Sequence, residues 1–529
     1  MKKNILKHTL IVLVLLSGIL QSCRKDILET IPDDRISAAV FWKTEADARF
    51  AVNSVYTSLD AINLFVLDGI TDIGHTNTVF TAEYSIENGS YDATHSRVQA
   101  EWQSGYRGIF LANDVLENIG RVQSTNTALI NQFRSEARAL RAYHYIKLIG
   151  LYGDVPLITS NVTPADGAKV KRSKVVDVLA FIDKELTESA ATLPNSYGAA
   201  DRGRITKGAA LALKARAHLQ AGNFQLAADA AKAVMDLNVY GLLPEYGKIF
   251  TYANENSREV VLDKQFLAGT ATHNAFAFMG PNSQKASASN YVPTKALLDQ
   301  FTMKNGKLIT DPTSGFDPTK PYDNRDPRLR FTLYVDGDAL PGGGFYRPIP
   351  GQNGADEVGK TQQNTSTGFN LKKYVAAEDF ATHNASHLNF ILLRYAEVLL
   401  TYAEAKIELN QIDESVYKAI NDVRTRTDVG LPALTTGMTQ AQLREAVRRE
   451  RTVELAFEGH RLFDIRRWKI AEQVMPGKVF GLTYYSGGNP VTIELPSVVK
   501  TFDASKHYLW PVPQREKLLN PDLGQNPNW

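Results

Sequence analysis

Two helices placed back to back, from Arg204 to Asp236, constrain this chain more than any other stretch. Thr206 is positioned to cap the first, Gly222-Asn223 breaks the run, and Phe224 restarts it. Eleven residues of the stretch are alanine. Alanine favours helix and leaves little bulk between neighbours, so two backbones can approach closely. Ala215, Gly222 and Ala227, with Phe224 between the last two, sit where a tetratricopeptide repeat places its packing positions. One such hairpin cannot bury both its apolar faces, and it needs similar hairpins stacked against it.

The chain supplies them. Thr44 opens a helix with Ala48, Ala51, Val52, Val55, Tyr56 and Leu59 on one face. Helical spacing returns at Trp102, Tyr106, Ile109 and Asn113, then over 126–151 and 174–192. A last hairpin is expected over 389–427. Its first helix, resuming near Leu388, carries one narrow polar stripe of Arg394, Glu397, Thr401, Glu404 and Glu408, which implies burial on most sides. Thr439 with Gln442 makes a capping box for a helix ending near Gly459. The expected fold is mainly α, with about four tetratricopeptide-like hairpins and an irregular, loop-rich region carrying short strands. Glu259 to Phe266 reads as one such strand, 311–359 as turns and short strands, and the proline-rich tail from Tyr508 as extended.

With 529 residues, 43% hydrophobic, the chain can build a large core. Lys+Arg is 59 against Asp+Glu 57, with no long block of one sign, which argues against a nucleic-acid partner. The N-terminus has its own signature. Lys2, Lys3 and Lys7 precede an apolar run from Leu10 to Leu16, too short for the ~20 residues that span a bilayer. Such a pattern describes a secretory signal. The single cysteine follows at Leu20-Gln21-Ser22-Cys23, which resembles the lipobox of bacterial lipoproteins. Residues 1–22 are therefore expected to be removed and Cys23 to carry the lipid that holds the protein on a membrane. From Cys23 onward the basic and acidic counts are 56 and 57, a charge of −1.

Several segments together are similar to the SusD/RagB family of outer-membrane nutrient-binding lipoproteins. They are Ala137 to Tyr143 with Leu151-Tyr152-Gly153-Asp154-Val155-Pro156, and Arg394-Tyr395-Ala396-Glu397 continuing to Ala405. Arg449 to Arg461 with Asp464 to Trp468 forms a third, and Trp510-Pro511-Val512-Pro513 with Asn520-Pro521 a fourth. The resemblance implies a helical-repeat region over 23–236 and a C-terminal region over 237–529 that holds the irregular ligand-binding part and the last hairpin. It further implies a protein on the outer surface of the outer membrane that binds oligosaccharides. Such a protein delivers them to a SusC-like TonB-dependent transporter without catalysis or cofactor. The same location with a peptide ligand, or a repeat scaffold for protein partners only, are the alternatives.

A glycan site needs aromatic rings for the apolar faces of sugars and planar polar groups for their hydroxyls. Three tracts without periodicity supply both. They are His75–His95, His273–Tyr291 and Tyr334–Arg347. From them Asn77, Tyr84, Asn88, Tyr91, Asn274, Phe276, Tyr291 and Tyr346 are the candidate ligand-binding residues. Packing beneath its own loop is the competing role for each ring. Trp102 shares a helix face with Tyr106 and Ile109 and reads as scaffold. The Arg/Glu-rich segment 444–467 reads as ion-paired structure rather than a catalytic cluster. His383 and His387 have i, i+4 spacing but no evident third ligand, and no metal site is expected. No HExxH, G-x-S-x-G, P-loop or dinucleotide fingerprint occurs.

Overall fold

The computed structural model describes residues 41–77, 82–284 and 289–529. Cys23 and the signal segment lie outside the described residues, as does Phe80, an aromatic of the His75–His95 tract. Nine helices of at least eleven residues are described: α1 (Glu45–Tyr56), α2 (Ser96–Asn118), α3 (Thr127–Tyr152), α4 (Val175–Thr192), α5 (Lys207–Gln220), α6 (Phe224–Asp236), α7 (Tyr395–Glu408), α8 (Glu414–Arg424) and α9 (Gln440–Glu454). Consecutive members pair as hairpins, α1 with α2, α3 with α4, α5 with α6 and α7 with α8. The hairpins stack through α2 on α3, α4 on α5 and α6 on α7, and α9 closes the far side of α7. This is the repeat architecture the alanine-rich stretch demands. Its fourth unit is contributed from beyond the irregular region.

Local signals place the ends. Thr44 with Asp47, and Thr439 with Gln442, form reciprocal capping boxes. The Thr206 hydroxyl accepts the Ala209 N–H, and Gly222 takes a φ of +76° between α5 and α6. Small residues then set how close the helices lie. On α2, a Cβ at Gly108 would stand 2.0 Å from Nε2 of His144 on α3, and one at Gly105 would stand 2.9 Å from Leu148. His144 cannot simply swing away, because its Nε2 is 2.8 Å from the Ser58 hydroxyl. Gly108→Ala is expected to cost about 1–3 kcal/mol through overpacking, despite alanine's better helix propensity. A lowered urea midpoint with an unchanged m-value would show it.

Helix α7 is buried on nearly every side, and its polar stripe is consumed by ion pairs. Glu397 meets Arg216 of α5 at 2.6 Å, and Glu408 meets Arg444 of α9 at 2.7 Å. Glu404 receives Arg467 at 2.5 Å and the Trp468 indole N–H at 2.6 Å. Arg394, just before α7, is 1% exposed and bonds Glu454 at 2.6 Å, Glu458 at 2.6 Å and Glu259 at 3.0 Å. The network extends through Arg426 to Glu259 and Glu454, through Lys373 to Glu458, and through Arg328 to Asp326, Glu450 and Glu454. Arg424 completes it on Glu450. Five cations thus face five carboxylates, and the buried cluster is electrically balanced. The Arg/Glu-rich segment is the internal brace of the fold.

Strands are few among the described residues, in four antiparallel pairs of which three are short. They are β1 (Gly74–Thr76) with β3 (Tyr291–Pro293), β2 (Val260–Lys264) with β6 (Phe390–Arg394), β4 (Leu333–Tyr334) with β5 (Asn370–Leu371), and β7 (Gly477–Ser486) with β8 (Asn489–Lys500). Two of these correct the sequence reading. Residues 390–394, expected as the start of the last helical hairpin, pair with β2 instead, and α7 begins at Tyr395. An apolar run of five fits either state, and the waiting edge of β2 decides it. The long β7–β8 hairpin had no counterpart in that reading, although Ser486-Gly487-Gly488-Asn489 is a turn signal. The stretch 63–100, which includes the non-periodic His75–His95 tract, contains short helices at Asn63–Gly69 and Tyr84–Glu87 and the start of α2. Helix α9 ends at Glu454, five residues early, and Phe457 and Gly459 follow at positive φ.

Candidate functional site

The three non-periodic tracts are tied to one another within the irregular region. In the β1–β3 pair, His75 sits opposite Val292 and Thr76 opposite Tyr291, which joins the first tract to the second. The amide of Asn77 donates to the Asn364 carbonyl at 2.8 Å and accepts the Ser366 N–H at 2.7 Å. Asn282 donates to the Asn364 side chain at 2.8 Å. The second tract meets the third where Gln284 accepts the Gly342 N–H, and again at Asn370. Asn370 donates to Ser289 at 2.7 Å and accepts the Tyr346 hydroxyl at 2.8 Å. Asn364 and Asn370 are the junction. They fall outside the three tracts, in a Thr- and Ser-rich run that looks like any surface turn.

Most of the candidate ligand residues are spent on the protein's own packing and hydrogen bonds, at this junction or elsewhere. Phe276 and Tyr346 are fully buried and Tyr291 is 2% exposed, so their rings pack in the core and present no face to a ligand. Tyr291 also lies so close to Gly69 that a Cβ there would stand 2.5 Å from its ring. Tyr91 is buried against His507 and Trp529. Tyr84 is half-buried against the β7–β8 hairpin and donates to the Ser497 carbonyl at 3.1 Å. Asn88 accepts the Ser90 N–H in its own turn. Of the eight, Asn274 keeps an exposed side chain, ahead of the short helix Ala275–Met279. Among the described aromatics of the tracts, Phe345 is the exposed one, at 60%. Its ring stands on a tight turn in which Ala339 bridges to Phe345, and the Arg347 guanidinium lies 5.6 Å from its centre.

Behind that turn opens a cleft of about 490 Å³, walled by Ala339, Leu340 and Pro341 and floored by Phe331, Tyr334 and Phe250. Lys372 Nζ stands 5.1 Å over the Tyr334 ring, and burial pulls its pKa below the ordinary lysine range. Glu378 and Thr251 supply further polar edges. An apolar floor with a few convergent polar groups is what a small-ligand site requires. No group of three or more His, Cys, Asp or Glu residues that could hold a metal occurs among the described residues.

A buried acid anchors the first tract from below. Glu87 lies 2.7 Å from His75 Nδ1 and 2.9 Å from Lys500 Nζ, and it accepts the Thr76 N–H at 2.8 Å. Burial alone would raise its pKa. Lys500 and His75 outweigh that and hold it at about 2. Lys500, the last residue of β8, also donates to the carbonyls of Thr71 and Gly74 at 2.6 and 2.7 Å.

Comparison with known proteins decides the family. The SusD family profile matches residues 255–529, more than half of the chain, and a family described as starch-binding and associating with the outer membrane matches 43–219. The chain belongs to the SusD family. SusD-like protein P2 of Formosa agariphila is 26% identical over 94% of this chain and 95% of its own length. A SusD-like carbohydrate-binding protein of Bacteroides fragilis superposes with a TM-score of 0.84 at 26% identity, over 91% of this chain and 99% of that one. A second B. fragilis SusD-like protein gives 0.80 at 26% identity, over 94% and 100%. This SusD-family chain has no helix long and apolar enough to cross a membrane among its described residues.

Proposed function

We propose that this SusD-family chain is a lipid-anchored protein of the outer membrane that binds oligosaccharides and passes them to a SusC-like TonB-dependent transporter, without altering them. The exposed Phe345 ring with Arg347 beside it, on a turn whose Ala339 to Pro341 segment walls a ring-floored cleft, carries this reading. An exposed ring can take the apolar face of a pyranose, and the guanidinium next to it can donate to hydroxyls in the plane. Asn274 adds an exposed amide. The starch-binding description of the matched family, and the carbohydrate binding named for the B. fragilis structure, support the ligand class. The proposal keeps residues 1–22 as the signal, Cys23 as the acylated residue, 23–236 as the helical-repeat region and 237–529 as the region holding the binding face.

Titration of the mature protein with neutral oligosaccharides by calorimetry tests it. Phe345→Ala is expected to weaken binding at least tenfold, about 1.4 kcal/mol, with an unchanged melting temperature. Binding of oligopeptides with no heat from any saccharide would overturn the ligand class, and release of shorter sugars would overturn the absence of catalysis. Cys23→Ser is expected to move the protein out of the membrane fraction. A mature N-terminus without acyl mass would contradict the anchor.

A further inference from the structure

A second groove lies away from the Phe345 turn and shares no lining residue with its cleft. A cleft of about 520 Å³ runs between the end of α1, the loop 200–204 and the end of β2. A smaller one of about 210 Å³ adjoins it across Gly203, and the two share Arg202, Gly203, Arg204 and Asp263. Its distinguishing property is charge. Arg202 and Arg258 are exposed, and Lys264 is half-buried. Among the described residues, no carboxylate comes within ion-pair distance of any of the three.

The contrast with their neighbours is sharp. Arg204 is committed to Glu136 at 2.8 Å and to Asp201 at 2.9 Å, and Asp201 is also held by Arg49. Lys264 Nζ donates only to backbone carbonyls, Leu59 at 2.8 Å and Thr57 at 3.2 Å, and stands 5.7 Å over the Phe266 ring. Arg258 reaches the carbonyls of Val239 and Tyr240 at 3.4 and 3.5 Å, near the limit of a hydrogen bond. The remaining acid of the groove, Asp263, is buried and bound by the amides of Gln265 and Asn389. Cations therefore outnumber free carboxylates along this groove. Half-buried rings of Phe266, Tyr197 and Tyr240 line the same path.

We infer that this groove is a second binding site, for an acidic saccharide that lays sugar rings on Phe266 and Tyr197 and sets carboxylate or sulfate groups against Arg202, Arg258 and Lys264. Guanidinium groups match the planar, two-oxygen edge of either anion, and rings with donors beside them match the sugar that carries it. The site is independent of the neutral-sugar reading of the Phe345 face.

Calorimetric titration of the mature chain with trigalacturonate, a sulfated carrageenan tetrasaccharide and maltotriose tests it. At least one acidic probe is expected to bind, more weakly as ionic strength rises from ~0.05 to ~0.3 M. The Arg202→Ala/Arg258→Ala double variant, which removes two exposed side chains without ion pairs, should weaken that binding at least tenfold, while Phe345→Ala leaves it unchanged. Which acidic probe binds separates carboxylate from sulfate. Arg202→Lys/Arg258→Lys should recover part of the loss, and melting curves check that the variants are folded. The inference is overturned if neither acidic probe binds, if maltotriose competes equally for the groove, or if the loss follows Phe345 rather than the two arginines.

Discussion

Arg394→Met is expected to destabilise the protein by about 3–5 kcal/mol. The reason is what it leaves behind. Arg394 neutralises Glu454, Glu458 and Glu259 at once, and each of those carboxylates is buried. Burial works against the charge of Arg394, yet the three carboxylates hold its pKa well above the ordinary arginine range. Methionine fills much of the volume but none of the charge, so the five-against-five balance becomes an excess of buried anions. Arg426, Arg328 and Lys373 remain on the same acids and keep the loss from being larger. The network joins β2, β6, α9 and the segment after α9, so the variant should unfold the C-terminal half first. A fall in the urea midpoint, with hydrogen exchange accelerated around 390–394 and 450–458, is the expected observation. A variant within about 1 kcal/mol of the parent would show the brace to be dispensable.

Lys500→Met is expected to cost a comparable ~3–5 kcal/mol, and its effect should depend on pH. Lys500 pairs with buried Glu87 and closes the carbonyls of Thr71 and Gly74, so its loss strands an anion and two acceptors together. The sign follows from linkage. Glu87 titrates near 2 in the folded protein, below its ordinary 4.5. Its contribution is therefore fully present above about pH 4.5 and is lost as pH falls toward 2. In the parent, acid leaves Lys500 buried without its partner. The difference between parent and variant should thus be greatest near neutrality and shrink steadily below pH 4.5. A difference constant over pH 7 to 3 would mean that Glu87 does not depend on Lys500.

The helical frame was legible because helix formation is local and periodic. Thr44, Thr206 and Thr439 cap where their spacing says they should, and the polar stripe from Arg394 to Glu408 announced a helix enclosed on all sides. What failed was any choice that depended on a distant partner. Phe390 to Arg394 became a strand because Val260–Lys264 offered an edge, and no feature within the run itself could say so. The binding face was legible only as tracts. Phe276, Tyr291 and Tyr346 have the chemistry of sugar platforms and the position of core residues, and Asn77 and Asn282 spend their amides on Asn364. A ring beneath a loop and a ring above it are identical in sequence. Phe345 differs by standing on a turn of three glycines, Gly342 to Gly344, which leaves nothing to cover it.

The alternation of roles also explains why the loops can hold a shape. Irregular backbone without a helix ladder needs other partners for its polar groups, and here the side chains of Asn77 and Asn364 supply them, Asn364 donating to the carbonyls of Ala355 and Glu357. Their rigidity would lower the entropic cost of ligand binding by presenting Phe345, Arg347 and the cleft behind them in one arrangement.

Hydrogen–deuterium exchange of the mature protein with and without a bound neutral oligosaccharide tests the binding face most directly. Slowed exchange concentrated in 334–347, with its neighbours at 273–284 and 364–372, is the predicted footprint. Protection confined to the repeat helices α3 to α6, with the Phe345 turn exchanging as before, would contradict it.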